Sequence, residues 1–131
     1  MHYRHSFHAG NFADVMKHVL LCGLIQALNR KDKPWMYLDT HSGSAVYDLR
    51  TADAQRTQEW QDGVARLQGL SGAAPMLSAY LEQLRLLRGG TTELSDAGLY
   101  PGSPWLAASM ARPGDRVVRS EERRVGKECR L

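Results

Sequence analysis

An α/β architecture is written into three stretches of this sequence. Apolar residues recur at helical spacing between Ala13 and Asn29, and a short apolar run follows at Trp35-Met36-Tyr37-Leu38. A small-residue loop, Thr40 to Ala45, begins as soon as that run ends in Asp39. Helix, short apolar strand, acidic residue and small-residue loop in that order is how many α/β ligand sites begin.

The first helix has an N-cap in Asn11 and an acid, Asp14, in its first turn, where negative charge suits the helix dipole. Val15, Val19, Cys22 and Ile25 repeat at the helical period, and Met16, Leu20, Leu24 and Leu28 repeat beside them. The charged run Arg30 to Lys33 ends at Pro34, which disfavours helix in the residue before it, so a turn is expected there. Trp35 to Leu38 has strand length and no polar residue, and reads as a buried strand. From Ala52 to about Arg88 the pattern is again helical. Trp60, Val64, Leu67 and Leu70 mark one helix, and Met76, Tyr80, Leu84 and Leu87 the next, with Ser71-Gly72 and Pro75 between them. Gly89-Gly90 closes the pair. Leu99 to Pro104 reads as a turn, Trp105 to Ala111 as a short helix and Arg112 to Asp115 as another turn. Arg116-Val117-Val118 reads as a strand that has barely begun. Two strands are thus visible, fewer than an independent parallel sheet needs.

A length of 131 residues fits one domain. The net charge of +3 is unevenly placed: residues 119–131 hold five Lys/Arg and three Glu, leaving twelve against eleven before them. Charge alone therefore gives no case for nucleic acid. Two distant cysteines, Cys22 and Cys129, make no disulfide framework, and a reducing, cytoplasmic location is expected. The longest apolar run, Val19 to Ile25, is far short of the ~20 residues that span a bilayer, so no membrane association is expected. The last stretch, Arg119 to Cys129, resembles an in-frame translation of a sequencing-library adapter. On that reading the natural chain stops at Val118, and residues 119–131 are a non-native tail. Glu121, Glu122, Arg123 and Arg124 also sit poorly in a buried strand.

Two segments carry chemistry. In Asp39-Thr-His-Ser-Gly-Ser-Ala, Gly43 permits close approach of a ligand, although the dinucleotide fingerprint spacing is missing. In Tyr3 to Asn11, the histidines at 2, 5 and 8 raise metal binding, but no second cluster completes a site, so no metal is expected. Tyr3, Arg4 and Phe7 offer stacking surfaces and a phosphate contact of the kind RNA binders use. Lys17 and His18 read, on spacing alone, as a solvent-facing polar stripe.

Together YRHSFHAGNFADVMKH, KDKPWMYLDTHSGSAVYDL and YPGSP resemble the large-subunit ribosomal RNA methyltransferase J family, in matching order over nearly all of residues 3–118. The resemblance implies adenine N6-methylation of 23S ribosomal RNA with S-adenosyl-L-methionine as methyl donor. It implies the N-terminal part of a Rossmann-like methyltransferase fold, incomplete here. Residues 1–51 would form its first segment, 52–90 an inserted helical subdomain, and 91–118 the return to the main domain. Matching positions imply cofactor contacts at His18, His41 and Ser103, and an RNA contact at Tyr3. The next acidic contact falls by spacing on Glu121, within the tail. Ala45 and Val46 stand where the family often has Gly and Arg. Family chemistry also implies a later Asp-Pro-Pro-Tyr motif to hold a target base taken out of its stack. No Asp-Pro-Pro occurs in these residues, so the chain as written, expected to be a monomer, is expected to be inactive. The alternative is a non-catalytic nucleic-acid-binding protein linked to DNA utilisation, which has no need of a methyl donor. A purely structural helical domain leaves Trp35 to Ala45 unexplained.

Overall fold

A computed structural model describes residues 5–51, 54, 58–67, 74–90, 98–121 and 128–130. Tyr3 lies outside them.

Helix α1 spans His5–His8 and helix α2 spans Phe12–Leu28. Asn11 caps α2, its side-chain oxygen accepting from the Asp14 backbone N–H at 2.8 Å. The helix buries Val15, His18, Cys22 and Ile25 on one face. Its opposite face is equally apolar but exposed: Phe12, Met16, Leu20, Leu24 and Leu28 follow one another at four-residue steps. Strand β1 (Met36–Ser42) follows after the charged turn. That turn is clasped by Arg112, whose guanidinium donates to the carbonyls of Asn29, Lys31 and Lys33 at 3.2, 2.6 and 3.1 Å. Asp115 anchors both sides, accepting from the backbone N–H of Trp35 at 2.9 Å and of Arg112 at 2.7 Å.

Strand β2 (Val46–Asp48) pairs antiparallel with β3 (Leu99–Pro101). Between them lie two 3-10 turns, Glu59–Asp62 and Val64–Leu67, and helix α3 (Pro75–Leu87). Helix α4 (Ser103–Met110) leads to β4 (Arg116–Glu121), which runs parallel to β1, and β5 (Glu128–Arg130) pairs antiparallel with β4. The architecture is α/β. Its core joins α2, α3, α4 and β3 through Cys22, Tyr80, Leu81, Leu84, Tyr100 and Leu106.

Several expectations are corrected by packing. The described residues contain five strands in two sheets, rather than two strands, because the short β2 and β3 meet only across the chain's interior. Leu99–Pro101 is therefore strand and not turn. The segment around Trp60 and Val64 forms two 3-10 turns rather than one helix. Gly63 breaks it where the Val64 N–H donates to the Gly10 carbonyl at 2.8 Å. Strand β1 is not buried on both faces: Met36 and Leu38 are 57 and 60% exposed, while Tyr37 and Asp39 turn inward. Strand β4 begins at Arg116, as expected, and continues to Glu121.

Candidate functional site

The N-terminal turn of α2 sets the first wall of the site. Once Asn11 has capped the helix, the Asp14 carboxylate reaches back, its Oδ2 accepting from the Gly10 N–H at 3.1 Å. Gly10 itself sits at φ +77°, a left-handed conformation that favours glycine. Asp14 Oδ2 also accepts from the Tyr100 hydroxyl at 2.8 Å, and Lys17 Nζ lies 3.3 Å from Oδ1. One helical turn on, His18 is 1% exposed and both ring nitrogens are engaged, Nδ1 with the Tyr100 hydroxyl at 2.8 Å and Nε2 with the Ser103 hydroxyl at 2.9 Å. Burial pushes His18 down to about 4, more than the nearby Asp14 raises it, so the ring is neutral at pH 7. Burial alone would raise the Asp14 carboxyl. Its charged neighbours and hydrogen bonds outweigh that and hold it below the usual range.

The second wall is the carboxyl end of β1. The Tyr37 hydroxyl donates to Asp39 Oδ2 at 2.6 Å, and the backbone N–H of His41 donates to Asp39 Oδ1 at 3.0 Å. The parallel register with β4 slips here, from Asp39↔Arg119 to Ser42↔Glu121, so β1 carries one extra residue. Such bulges re-aim side chains at sheet rims. Next comes the small-residue loop, held close on every side. A Cβ on Gly43 would collide with the Tyr47 hydroxyl and the His5 ring. A Cβ on Gly102 would collide with the Ser44 carbonyl, and the Gly102 N–H donates to the Ala45 carbonyl at 2.7 Å. Arg119 reaches across to donate to the Gly43 carbonyl at 3.0 Å. Ser103 then opens α4 against His18.

These walls enclose a cavity of about 400 Å³. His18, His41 and Ser103 all line it, although they come from three elements and span 85 residues of chain. Asp14, Lys17, Tyr37, Asp39 and Tyr47 line it with them, and His5 and His8 close the side nearest the N-terminus. Of Glu121 the structure gives the backbone position, at the end of β4 and opposite Ser42.

A family model described as ribosomal RNA large subunit methyltransferase D, RlmJ, matches residues 32–127. The chain belongs to the RlmJ family. It is 39% identical over 119 residues to the ribosomal RNA large subunit methyltransferase J of Haemophilus influenzae, covering 91% of this chain and 41% of that protein. It is 41% identical over 120 residues to the protein of the same name from Escherichia coli, with the same coverage. Among solved structures it resembles the crystal structure of protein LPL1258 from Legionella pneumophila, at TM-score 0.68 and 37% identity. That match covers 87% of this chain and 40% of the other. The chain therefore spans about two fifths of the length of these RlmJ-family relatives.

On spacing alone Lys17 and His18 read as a solvent-facing stripe, while family likeness implies a cofactor contact at His18; Lys17 is exposed, and His18 is buried at the cavity. Asp14, Tyr37 and Tyr100 were missed as site residues. Asp14 passed for a helix-dipole partner, and no local spacing links it to a tyrosine 86 residues away. Of the N-terminal histidines, His8 Nδ1 lies 2.7 Å from Glu59 Oε2, a hydrogen-bonding role. Among the described residues no group of three or more His, Cys, Asp or Glu is arranged to hold a metal ion, and no helix is long and apolar enough to cross a membrane.

Proposed function

We propose that this chain supplies the methyl-donor side of an enzyme that methylates N6 of an adenine in 23S ribosomal RNA. S-adenosyl-L-methionine is the donor, held by His18, His41 and Ser103, with Glu121 at the end of β4 as a further contact. Tyr3 serves the RNA. One observation carries the reading: three residues expected at the cofactor from family likeness line a single cavity.

The cavity fits such a molecule. Its volume lies within the usual range of small-molecule sites, ~300–1,000 Å³. Asp14 and Asp39 are acidic groups suited to a cationic sulfonium and ammonium, while Leu21, Tyr37 and Tyr47 offer apolar and aromatic walls for a purine. When bound, the donor supplies a methyl group activated by its positive sulfur. The chain's own residues bind and orient it, and positioning of this kind accounts for much of a transfer rate. With no Asp-Pro-Pro-Tyr among its 131 residues to hold the adenine, the polypeptide binds the donor without turning over. The protein works in the cytoplasm, where its RNA is found, as a monomer with no metal.

Titration calorimetry of the 131-residue chain with S-adenosylhomocysteine, the demethylated product, tests this. Saturable binding is expected, weakened roughly tenfold by His41→Ala, about the 1.4 kcal/mol of one good polar contact. Unchanged affinity in that variant removes His41 from the site, and absence of binding to the parent chain removes the cofactor reading.

A further inference from the structure

We infer that Asp14, Tyr100 and His18 form a fixed proton relay that presents Ser103 to the cavity as a hydrogen-bond acceptor, so that the ligand group it meets is a donor, an ammonium or a hydroxyl. The inference rests on the cofactor reading for the ligand's identity, but not for the relay itself.

The direction of the relay follows from counting protons. Tyr100 has one hydroxyl proton and two candidate acceptors for it, Asp14 Oδ2 and His18 Nδ1, each at 2.8 Å; the Tyr80 hydroxyl beside it carries its own proton and can donate to the Tyr100 oxygen. A carboxylate cannot donate. The Gly10 N–H and the Lys17 ammonium beside it keep Asp14 charged, which makes it the stronger claimant. The Tyr100 proton therefore goes to Asp14, and the Tyr100 oxygen accepts from Nδ1–H. Because the His18 ring is neutral, its Nε2 carries a bare lone pair. Asp14 Oδ1, 3.5 Å from Nε2, can only accept, so Ser103 is the donor, at 2.9 Å. The opposite tautomer asks Tyr100 to serve Nδ1 and Asp14 with one proton: either Nδ1 is left buried and unpaired, or the Tyr100 oxygen faces the Asp14 carboxylate at 2.8 Å with no proton between them. Tyr37, whose proton is taken by Asp39, also has its oxygen next to Ser103. A bare imidazole nitrogen outcompetes a phenol oxygen for the serine proton, being much the stronger base. With its proton directed inward, Ser103 keeps its lone pairs for the cavity it lines.

Asp14 and Tyr100 are thus positioning residues; His18, with both ring nitrogens engaged, meets the ligand with its ring carbons and reaches the ligand's polar groups through Ser103. A serine free to rotate would accept or donate alike; this one is committed.

Nitrogen-15 correlation spectra of the ring-labelled 131-residue chain at pH 7 decide the direction of the relay without any ligand. The expected His18 signature is a protonated Nδ1 and a bare Nε2; a protonated Nε2 overturns the proposal. Tyr100→Phe removes one oxygen, and is expected to shift His18 toward the Nε2–H form and weaken S-adenosylhomocysteine binding about tenfold. Ser103→Ala should weaken binding while leaving the Nδ1–H form in place. If Ser103→Ala weakens binding but Tyr100→Phe changes neither tautomer nor affinity, the relay fails and the cofactor reading stands. If the parent chain does not bind S-adenosylhomocysteine, the cofactor reading fails and the spectra alone still decide the relay. The same spectra of the parent chain keep the test decisive should Tyr100→Phe fold poorly.

Discussion

His18 holds together contacts from opposite ends of the chain, and its burial gives it a measurable signature. Its folded-state value is about 4, against an ordinary 6.5 for the exposed side chain. Between those limits the unfolded chain carries a proton that the folded chain excludes. The contribution to stability is therefore complete above pH 6.5 and falls away as pH drops toward 4, by roughly 3 kcal/mol across the window. Urea midpoints measured from pH 7 to pH 4.5 should show the fall, and His18→Gln should flatten most of it; an unchanged slope in that variant sinks the assignment. At this scale the sequence was informative about identity and silent about partnership. His18, His41 and Ser103 were legible through family likeness. The Asp14–Tyr100 contact was not, because a hydrogen bond across 86 residues leaves no local pattern to read.

Elements were legible wherever one local force dominates. Helix α2 begins where Asn11 and Asp14 said it would, since a cap and a first-turn acid act within four residues. Asn11→Ala should cost about 1 kcal/mol, as caps usually do, seen as a lower urea midpoint. The same change should loosen Asp14 and with it the relay, so the His18 ring signals should broaden. Helix α3 was equally clear, with Pro75 at its first position and Gly89, at φ +74°, past its end. The elements that escaped are those set by distant partners. Strands β2 and β3 are three residues each and exist because Val46–Asp48 meets Leu99–Pro101. The residues around Gly63 have helical spacing but give up a continuous helix to pair with Gly10. Trp35–Leu38 looked doubly buried because it lacks polar residues, yet only the Tyr37 and Asp39 side faces the cavity.

For the whole molecule, the unusual feature is a helix apolar on both faces. The inner face of α2 is buried against α3 and α4, and the outer face shows Phe12, Met16, Leu20, Leu24 and Leu28 at 38–66% exposure. A stripe of that length open to water is a liability for association at high concentration. Replacing Leu20 and Leu24 with Gln should lower light scattering at high concentration and change the unfolding free energy from urea titration by less than ~0.5 kcal/mol per substitution, the usual effect of surface changes. A large loss of stability would mean that these side chains are packed after all. The α/β class was legible at this scale from the alternation of helix, strand and loop. The second sheet and the meeting of α2, β1 and α4 around the cavity were not, since both depend on how the chain returns on itself.

That return has a cost in time. In β1, Met36 finds its neighbour at Arg116, so the parallel pair closes only after 80 further residues have been made. At ~5–20 residues per second of synthesis, β1 waits roughly 4–16 s with its edge open. During that interval Met36 and Leu38 are apolar residues on unpaired extended backbone, available to any chaperone or neighbouring nascent chain that recognises such a segment. The exposure of β1 is thus set by the timing of synthesis, which the stability of the finished fold does not change.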